Sequence, residues 1–160
     1  MRRSMESLGS ATYTREQIAS AVLYITQPDR QIIDDRTYYV VLADDRIVAC
    51  GGWSRRAKLY SGSSDQEGVE KARALDPATE AARIRAMFVD PDYARRGIGK
   101  AILIESEEAA RARGFRRLEL MALLPGVPLY EAAGYVTRER SEIELPDGVK
   151  LETLLMEKML

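Results

Sequence analysis

Histidine is absent from all 160 residues, which removes the commonest general base, the usual serine or cysteine triad and most zinc sites. Proton transfer must fall to tyrosine, carboxylate, lysine or water, and no metal is expected. Cysteine occurs once, as Cys50 in the apolar run "RIVACGGW", so no disulfide can form within the chain. With no histidine to activate it, that thiol reads as buried and inert rather than as a nucleophile. No apolar stretch approaches the roughly 18 residues of a membrane span, and "MRRSMESLGS" lacks the apolar centre of a signal peptide. Net charge is nearly missing too: 24 Lys and Arg against 25 Asp and Glu leave −1, giving no global attraction to nucleic acid or an anionic membrane. These absences predict a soluble, cytoplasmic protein without a membrane or nucleic-acid partner. Any preference for anions must be local.

The length suits one domain over residues 1–160, and 46% hydrophobic residues are enough to bury a core without covalent staples. "TREQIASAVLYI" opens with a capping box, Thr14 with Gln17, and carries Ile18, Val22 and Ile25 on one helical face. "TYYVVLA" (37–43) and "RIVACGGW" (46–53) are β-rich runs joined by Asp44-Asp45, a hairpin whose turn lacks the favoured glycine. Residues 56–82 read as a long surface excursion containing a short helix near 66–75, and excursions of this length inside a domain are more often functional than decorative. "ARIRAMFV" (82–89) is a strand ended by the turn "DPDY". Residues 97–113 are helical, with Ile98, Ile102, Glu105 and Ala109 at helical spacing and Gly114 as the stop. With "RRLELMAL" (116–123) as the next strand, two strands and one helix make a parallel βαβ unit. A short helix at 128–133 and two long strands around "PDG" (146–148) complete a mixed α/β domain.

"PDYARRGIGK" (91–100) sets Arg95, Arg96 and Lys100 at the start of a helix, whose positive end ordinarily attracts Asp or Glu. An anion resolves the conflict. A P-loop, G-x-x-x-x-G-K-S/T, fails because Ala94 replaces the first glycine and Ala101 the hydroxyl. A dinucleotide fingerprint, G-x-G-x-x-G, fails because Gly97 and Gly99 are followed by Ile102. What remains is either a solvated loop or main-chain N–H groups entering a helix N-terminus, with flanking cations neutralising a diphosphate. Nucleic-acid binding through "ARRGIGK" and "RARGFRR" has the weaker case, because Glu105, Glu107 and Glu108 lie between them on one helix.

The strand "RIRAMFV", the turn "DPDY", the loop "ARRGIG", a helix, the strand "LELMAL" and "LYEAAGY" together resemble the GCN5-related N-acetyltransferase (GNAT) superfamily. The resemblance covers about residues 37–160 and is strongest over 83–136. It implies a mostly antiparallel central sheet with one parallel pair splayed to bind acetyl-CoA as cosubstrate. The family's pyrophosphate loop, R/Q-x-x-G-x-G/A, maps onto Ala94 to Gly99; Gly97 and Gly99 match, while Ala94 departs, which implies that one side-chain contact is either missing or shifted to Arg95. Met87, Phe88 and Val89 would bond the pantetheine arm as an added strand. The implied donor-binding set is thus Met87, Phe88, Val89, Arg95, Arg96, Gly97, Ile98, Gly99 and Lys100. The family normally begins with an edge strand that this chain lacks, leaving a sheet edge open or filled by a partner chain, as in a homodimer.

Aminolysis of a thioester needs a neutral amine, support for the developing oxyanion and a proton for the leaving thiolate. The resemblance assigns the last role to Tyr130, the tyrosine of Y-x-x-x-G-F/Y in "YEAAGY"; packing in the core is the other reading of that ring. The position that carries a glutamate base in several family members holds Arg83 here. Glu80 is the nearest upstream carboxylate and the candidate base, with Glu142, Glu144 or water as alternatives. Trp53 and Ser54 are candidates for the acceptor wall, although core packing is the usual place of a lone Trp. The acceptor is a small-molecule or protein amine. A domain that binds CoA without chemistry is the rival expectation.

Overall fold

The computed structural model describes residues 1–58 and 72–160. Three helices come first, α1 (Arg2–Leu8), α2 (Arg15–Tyr24) and α3 (Arg30–Asp34). The capping box of α2 forms as expected: the Gln17 amide donates to Thr14 Oγ1 at 3.2 Å and the Thr14 amide to Gln17 Oε1 at 3.0 Å. The other two helices were not expected from the sequence. α3 is only one turn long and begins where the Asp29 carboxylate accepts the amides of Gln31 and Ile32. α1 is held by a distant contact, with Arg3 donating to Asp90 at 2.6 Å and to Asp92 at 2.9 Å. A local periodicity cannot report partners nearly ninety residues away.

The remaining elements are β1 (Tyr38–Ala43), β2 (Arg46–Ser54), β3 (Ala82–Val89), α4 (Ile98–Ala112), β4 (Arg117–Leu123), α5 (Val127–Ala132), β5 (Val136–Glu144) and β6 (Lys150–Met159). They lie within two residues of the expected boundaries. The six strands form one sheet in the order β1-β2-β3-β4-β6-β5, and every neighbouring pair is antiparallel except β3 and β4. The β1–β2 turn closes without glycine because Asp44 and Asp45 both take positive φ, 47° and 59°, as a two-residue hairpin turn requires and as aspartate tolerates. Among the described residues β1 pairs only with β2 and forms one edge of the sheet.

The sheet is covered on both faces. On one, Leu103 and Ala110 of α4 meet Trp53, Ile84, Phe115, Leu118 and Leu120 in the main core. The residues that α4 buries are Ile102, Leu103, Ser106, Glu107 and Ala110; Glu105, assigned to that face by spacing, is exposed. On the other, Met5, Tyr13, Ala21 and Val22 from the N-terminal helices pack against Ile143, Leu145 and Leu151 of the β5–β6 hairpin. Tyr13 ties these layers together, donating to the Glu152 carbonyl at 2.6 Å and accepting the Leu124 amide at 3.0 Å. The ends of the excursion pair with each other, with Ala57 N–H to the Arg73 carbonyl and Leu75 N–H to the Arg55 carbonyl. Ala74 thus forms a β-bridge with Arg56, and residues 72–75 are not the end of a helix. The rest of the helix expected near 66–75 lies outside the described residues.

Two stability predictions follow from this packing. A Cβ added at Gly52 would stand 2.0 Å from the Thr37 carbonyl oxygen. Backbone cannot retreat cheaply, so Gly52→Ala is expected to lower the urea unfolding free energy by about 1–3 kcal/mol. Burial also raises the phenols of Tyr38, Tyr130 and Tyr135 above the ordinary value of 10.0, and the nearby Glu107 adds to this at Tyr135. The native chain keeps these protons while the unfolded chain releases them above about pH 10. Stability present at neutral pH should therefore fall as pH rises past 10, and should fall less in Tyr135→Phe.

Candidate functional site

β3 and β4 are paired at only two positions, Ala82 with Leu118 and Arg83 with Glu119. Beyond them the strands part, and the gap opens into a cleft of about 500 Å³. Its walls come from both sides of the split. Met87, Phe88 and Val89 supply the β3 wall; Met121, Leu123 and Tyr130 lie on the β4 side. The loop into α4 and Ser4, Met5 and Leu8 of α1 also line the cleft, and α1 is tied to the turn before that loop by Arg3 with Asp90 and Asp92.

The α4 end has the features of an anion site. Gly97 occupies the N-cap position with φ 81° and makes no side-chain cap, so the first N–H groups of the helix have no side-chain acceptor. No heavy atom lies within 4 Å of the place a Cβ would take at Gly97. Arg95, Gly97, Ile98, Gly99 and Lys100 line the cleft, and no acidic residue stands in the first turn of α4. Arg96 departs from the expected set: it is absent from the cleft wall and lies 5.1 Å over the Tyr93 ring as a cation–π pair. Ala94 lines the cleft with extended backbone, beside an Arg95 held at φ 62°. Tyr93 was missed in the sequence although it sits in the turn that the prolyl stop "DPDY" marks.

Tyr130 is 8% exposed and lies on the cleft wall with its ring edge-on to Tyr135, 5.9 Å between centroids. Burial raises its phenol above 10.0, so the hydroxyl is held as the protonated acid at neutral pH. The ring packs in the core and also borders the cleft.

The carboxylates fall elsewhere. Glu80 is not on the cleft wall. It accepts from Arg73 at 2.8 and 2.5 Å and from the Asp76 amide at 2.9 Å. The Arg73 hydrogen bonds, with that amide, bring its acid down to about 2. A carboxylate so stabilised is a poor proton acceptor, and the geometry turns against Glu80 as the base. Glu142 and Glu144 alternate with the buried, cleft-lining Ile143 and so face away. Arg83 is paired with Glu119 across the parallel strands. Asp29 is the one carboxylate lining the cleft among the described residues, and both its oxygens are engaged, by the Gln31 and Ile32 amides and by Arg85. Neither Asp29 nor Arg85 was foreseen, although Asp before "RQII" is an N-cap signal and Arg85 interrupts an apolar strand.

Trp53 and Ser54 are buried in the sheet and do not reach the cleft. Trp53 packs edge-on to Phe115 at 6.0 Å. Cys50 is buried, and burial pushes its thiol up, as expected of an inert residue. Among the described residues, no cluster of His, Cys, Asp or Glu is arranged to hold a metal ion, and no helix is long and apolar enough to cross a membrane.

The fold is shared with solved proteins. A GCN5-related N-acetyltransferase from Rhodopseudomonas palustris superposes with a TM-score of 0.72 at 20% identity, over 99% of this chain and 84% of that one. The PaiA N-acetyltransferase of Thermoplasma acidophilum, solved in complex with coenzyme A, gives 0.63 at 15% identity over 99% and 87%. A streptothricin acetyltransferase homologue of Bacillus anthracis, solved with acetyl coenzyme A, gives 0.55 at 15% over 77% and 61%. At such identities the likeness establishes the fold alone. No curated protein sequence matches the chain significantly. The sequence model of the acetyltransferase (GNAT) family, however, matches residues 4–135, a span that takes in α1, the split strands, the α4 loop and "LYEAAGY". The chain therefore belongs to the GNAT acetyltransferase family.

Proposed function

We propose that the protein transfers the acetyl group of acetyl-CoA to an amine. The observation that carries this reading is the continuity of the cleft, which joins the uncapped N-terminus of α4, the unpaired edge of β3 and the protonated Tyr130 hydroxyl. The residues fit the donor. Main-chain N–H groups at Gly97–Lys100 take the diphosphate, helped by the helix dipole and by Arg95 and Lys100. Unpaired backbone groups of Met87–Val89 take the amides of the pantetheine arm in the manner of strand addition. Acetyl-CoA supplies the acyl group already activated as a thioester.

The chain's own groups then manage the protons. The amine lone pair forms the new C–N bond to the acyl carbon as the C–S bond breaks, and Tyr130 donates its phenolic proton to the leaving sulfur. Because Asp29 is saturated and Glu80 lies outside the cleft, water takes the proton lost by the amine. Tyr130 is reprotonated from solvent as the thiol leaves. The acceptor enters along the part of the cleft wall that Ser4, Met5 and Leu8 line.

Thiol release should require both acetyl-CoA and an amine. Tyr130→Phe is expected to lower kcat about 100-fold, within the range of a lost general acid, while CoA affinity stays unchanged; an unaltered kcat removes Tyr130 from the chemistry. CoA-dependent thermal stabilisation without thiol release across a broad panel of small and peptide amines would identify a CoA-binding module that performs no transfer. Exchanging Gly97 for Val should weaken CoA binding without touching the Tyr130 environment, because φ 81° is costly for a β-branched residue.

A further inference from the structure

The proposed reaction makes no use of the ion pair buried in the cleft wall. Asp29 and Arg85 have side chains 3% and 2% exposed and meet at 2.7 Å. Asp29 also caps α3, and Arg85 donates to Gln31 Oε1 at 2.8 Å. The connection between α2 and α3 thus grips one guanidinium projecting from β3. Burying two charges is costly, and apolar residues of similar volume often serve stability as well. Positioning is the better explanation of such a pair.

The residue next to Arg85 shows what is positioned. Ala86 has φ 54°, in the left-handed region that residues with a Cβ rarely enter. β3 is paired to β2 at Arg85 with Gly52 and next at Phe88 with Cys50, so Ala86 and Met87 stand against Gly51 alone. This is a bulge, which bends its strand and re-aims the backbone. It begins three residues after Arg83, the last residue paired to β4. Arg85 sits between the end of that pairing and the start of the bulge. A strained backbone persists only where its surroundings over-determine it.

We propose that Asp29, Arg85 and Gln31 form a positioning device that holds the Ala86 bulge and so keeps the Met87–Val89 edge turned into the cleft. The inference rests on the acetyl-CoA reading for its functional consequence. Arg85 acts through the strand and touches no reacting atom. A matched contrast exists in the same chain: Arg56 donates to Asp35 at 2.6 and 2.7 Å, a second partly buried pair just past the end of β2 and away from the bulge.

The test follows CoA binding by calorimetry and amide exchange at Met87–Val89 in the full-length protein, its Arg85→Met, Arg85→Lys and Arg56→Met variants, and an Asp29→Asn, Arg85→Met double variant. Arg85→Met should weaken CoA at least about tenfold, the scale on which a displaced positioning element acts. It should also accelerate exchange at Met87–Val89 relative to Leu103 of the core. Arg85→Lys, which still pairs with Asp29, should recover most of the loss. Arg56→Met should lower Tm but leave CoA affinity and local exchange unchanged. Where Arg85→Met fails to fold, the double variant, which strands no buried charge, carries the same expectation. Wild-type affinity and exchange in either variant would overturn the proposal. Failure of the wild-type protein to bind CoA would instead remove the donor reading, and exchange at Met87–Val89 would still decide whether the pair holds the bulge.

Discussion

Two residue pairs join β3 to β4, and the architecture of the cleft depends on their being so few. Parallel neighbours in a sheet ordinarily satisfy each other's backbone groups along their length. Here the strands separate after Arg83 and Glu119, leaving main-chain donors and acceptors facing a gap between two well-packed half-sheets. β1, β2 and β3 hold one side; β4, β6 and β5 hold the other. On one face α4 keeps the halves together through the core around Leu103 and Phe115; on the other, the N-terminal helices pack on the β5–β6 hairpin while Arg3 reaches Asp90 and Asp92 just past β3. A parallel pair also requires a crossover, and α4 is that crossover. Its N-terminus is consequently delivered to the carboxyl end of β3, where the gap opens.

The same geometry separates two electrostatic environments within one cleft. At the α4 end the cations are exposed, the helix end is uncapped and the main chain is accessible. Around Tyr130 the surroundings are apolar and aromatic, and burial keeps the phenol protonated. A ligand with a charged, hydrated end and a long, neutral arm matches that gradient. Carboxylates are taken up in structural partnerships, Glu80 with Arg73, Glu119 with Arg83 and Glu107 with Lys158 off the cleft wall, and Asp29 with Arg85 on it. Each arginine or lysine that neutralises one of them also removes a proton acceptor from the chemistry.

Much of this was legible along the chain. Element order and boundaries follow from periodicity and stop signals that act within a few residues, such as the Thr14 capping box and the turn before "PDG". The α4 loop was legible because a cation cluster at a helix start is a local conflict with a physical resolution. Glu80 misled because proximity in sequence to a strand says nothing of side-chain direction, and its true partner, Arg73, closes an excursion rather than the cleft. Arg96 misled similarly, since adjacent residues in a loop point to different sides and Tyr93 was available to receive it.

By itself, then, the sequence determined the class of fold, the α2 helix, the order of the elements from β1 onward and the cation-rich entry into α4, because each is written in spacing, turn chemistry and capping. Tertiary structure decided which groups face one another: the N-terminal helix strapped to Asp90 and Asp92, the saturation of Asp29 by Arg85, and the bulge at Ala86. Those pairings join residues tens of positions apart, and their free energy arises from burial and geometry that exist only once the sheet has formed.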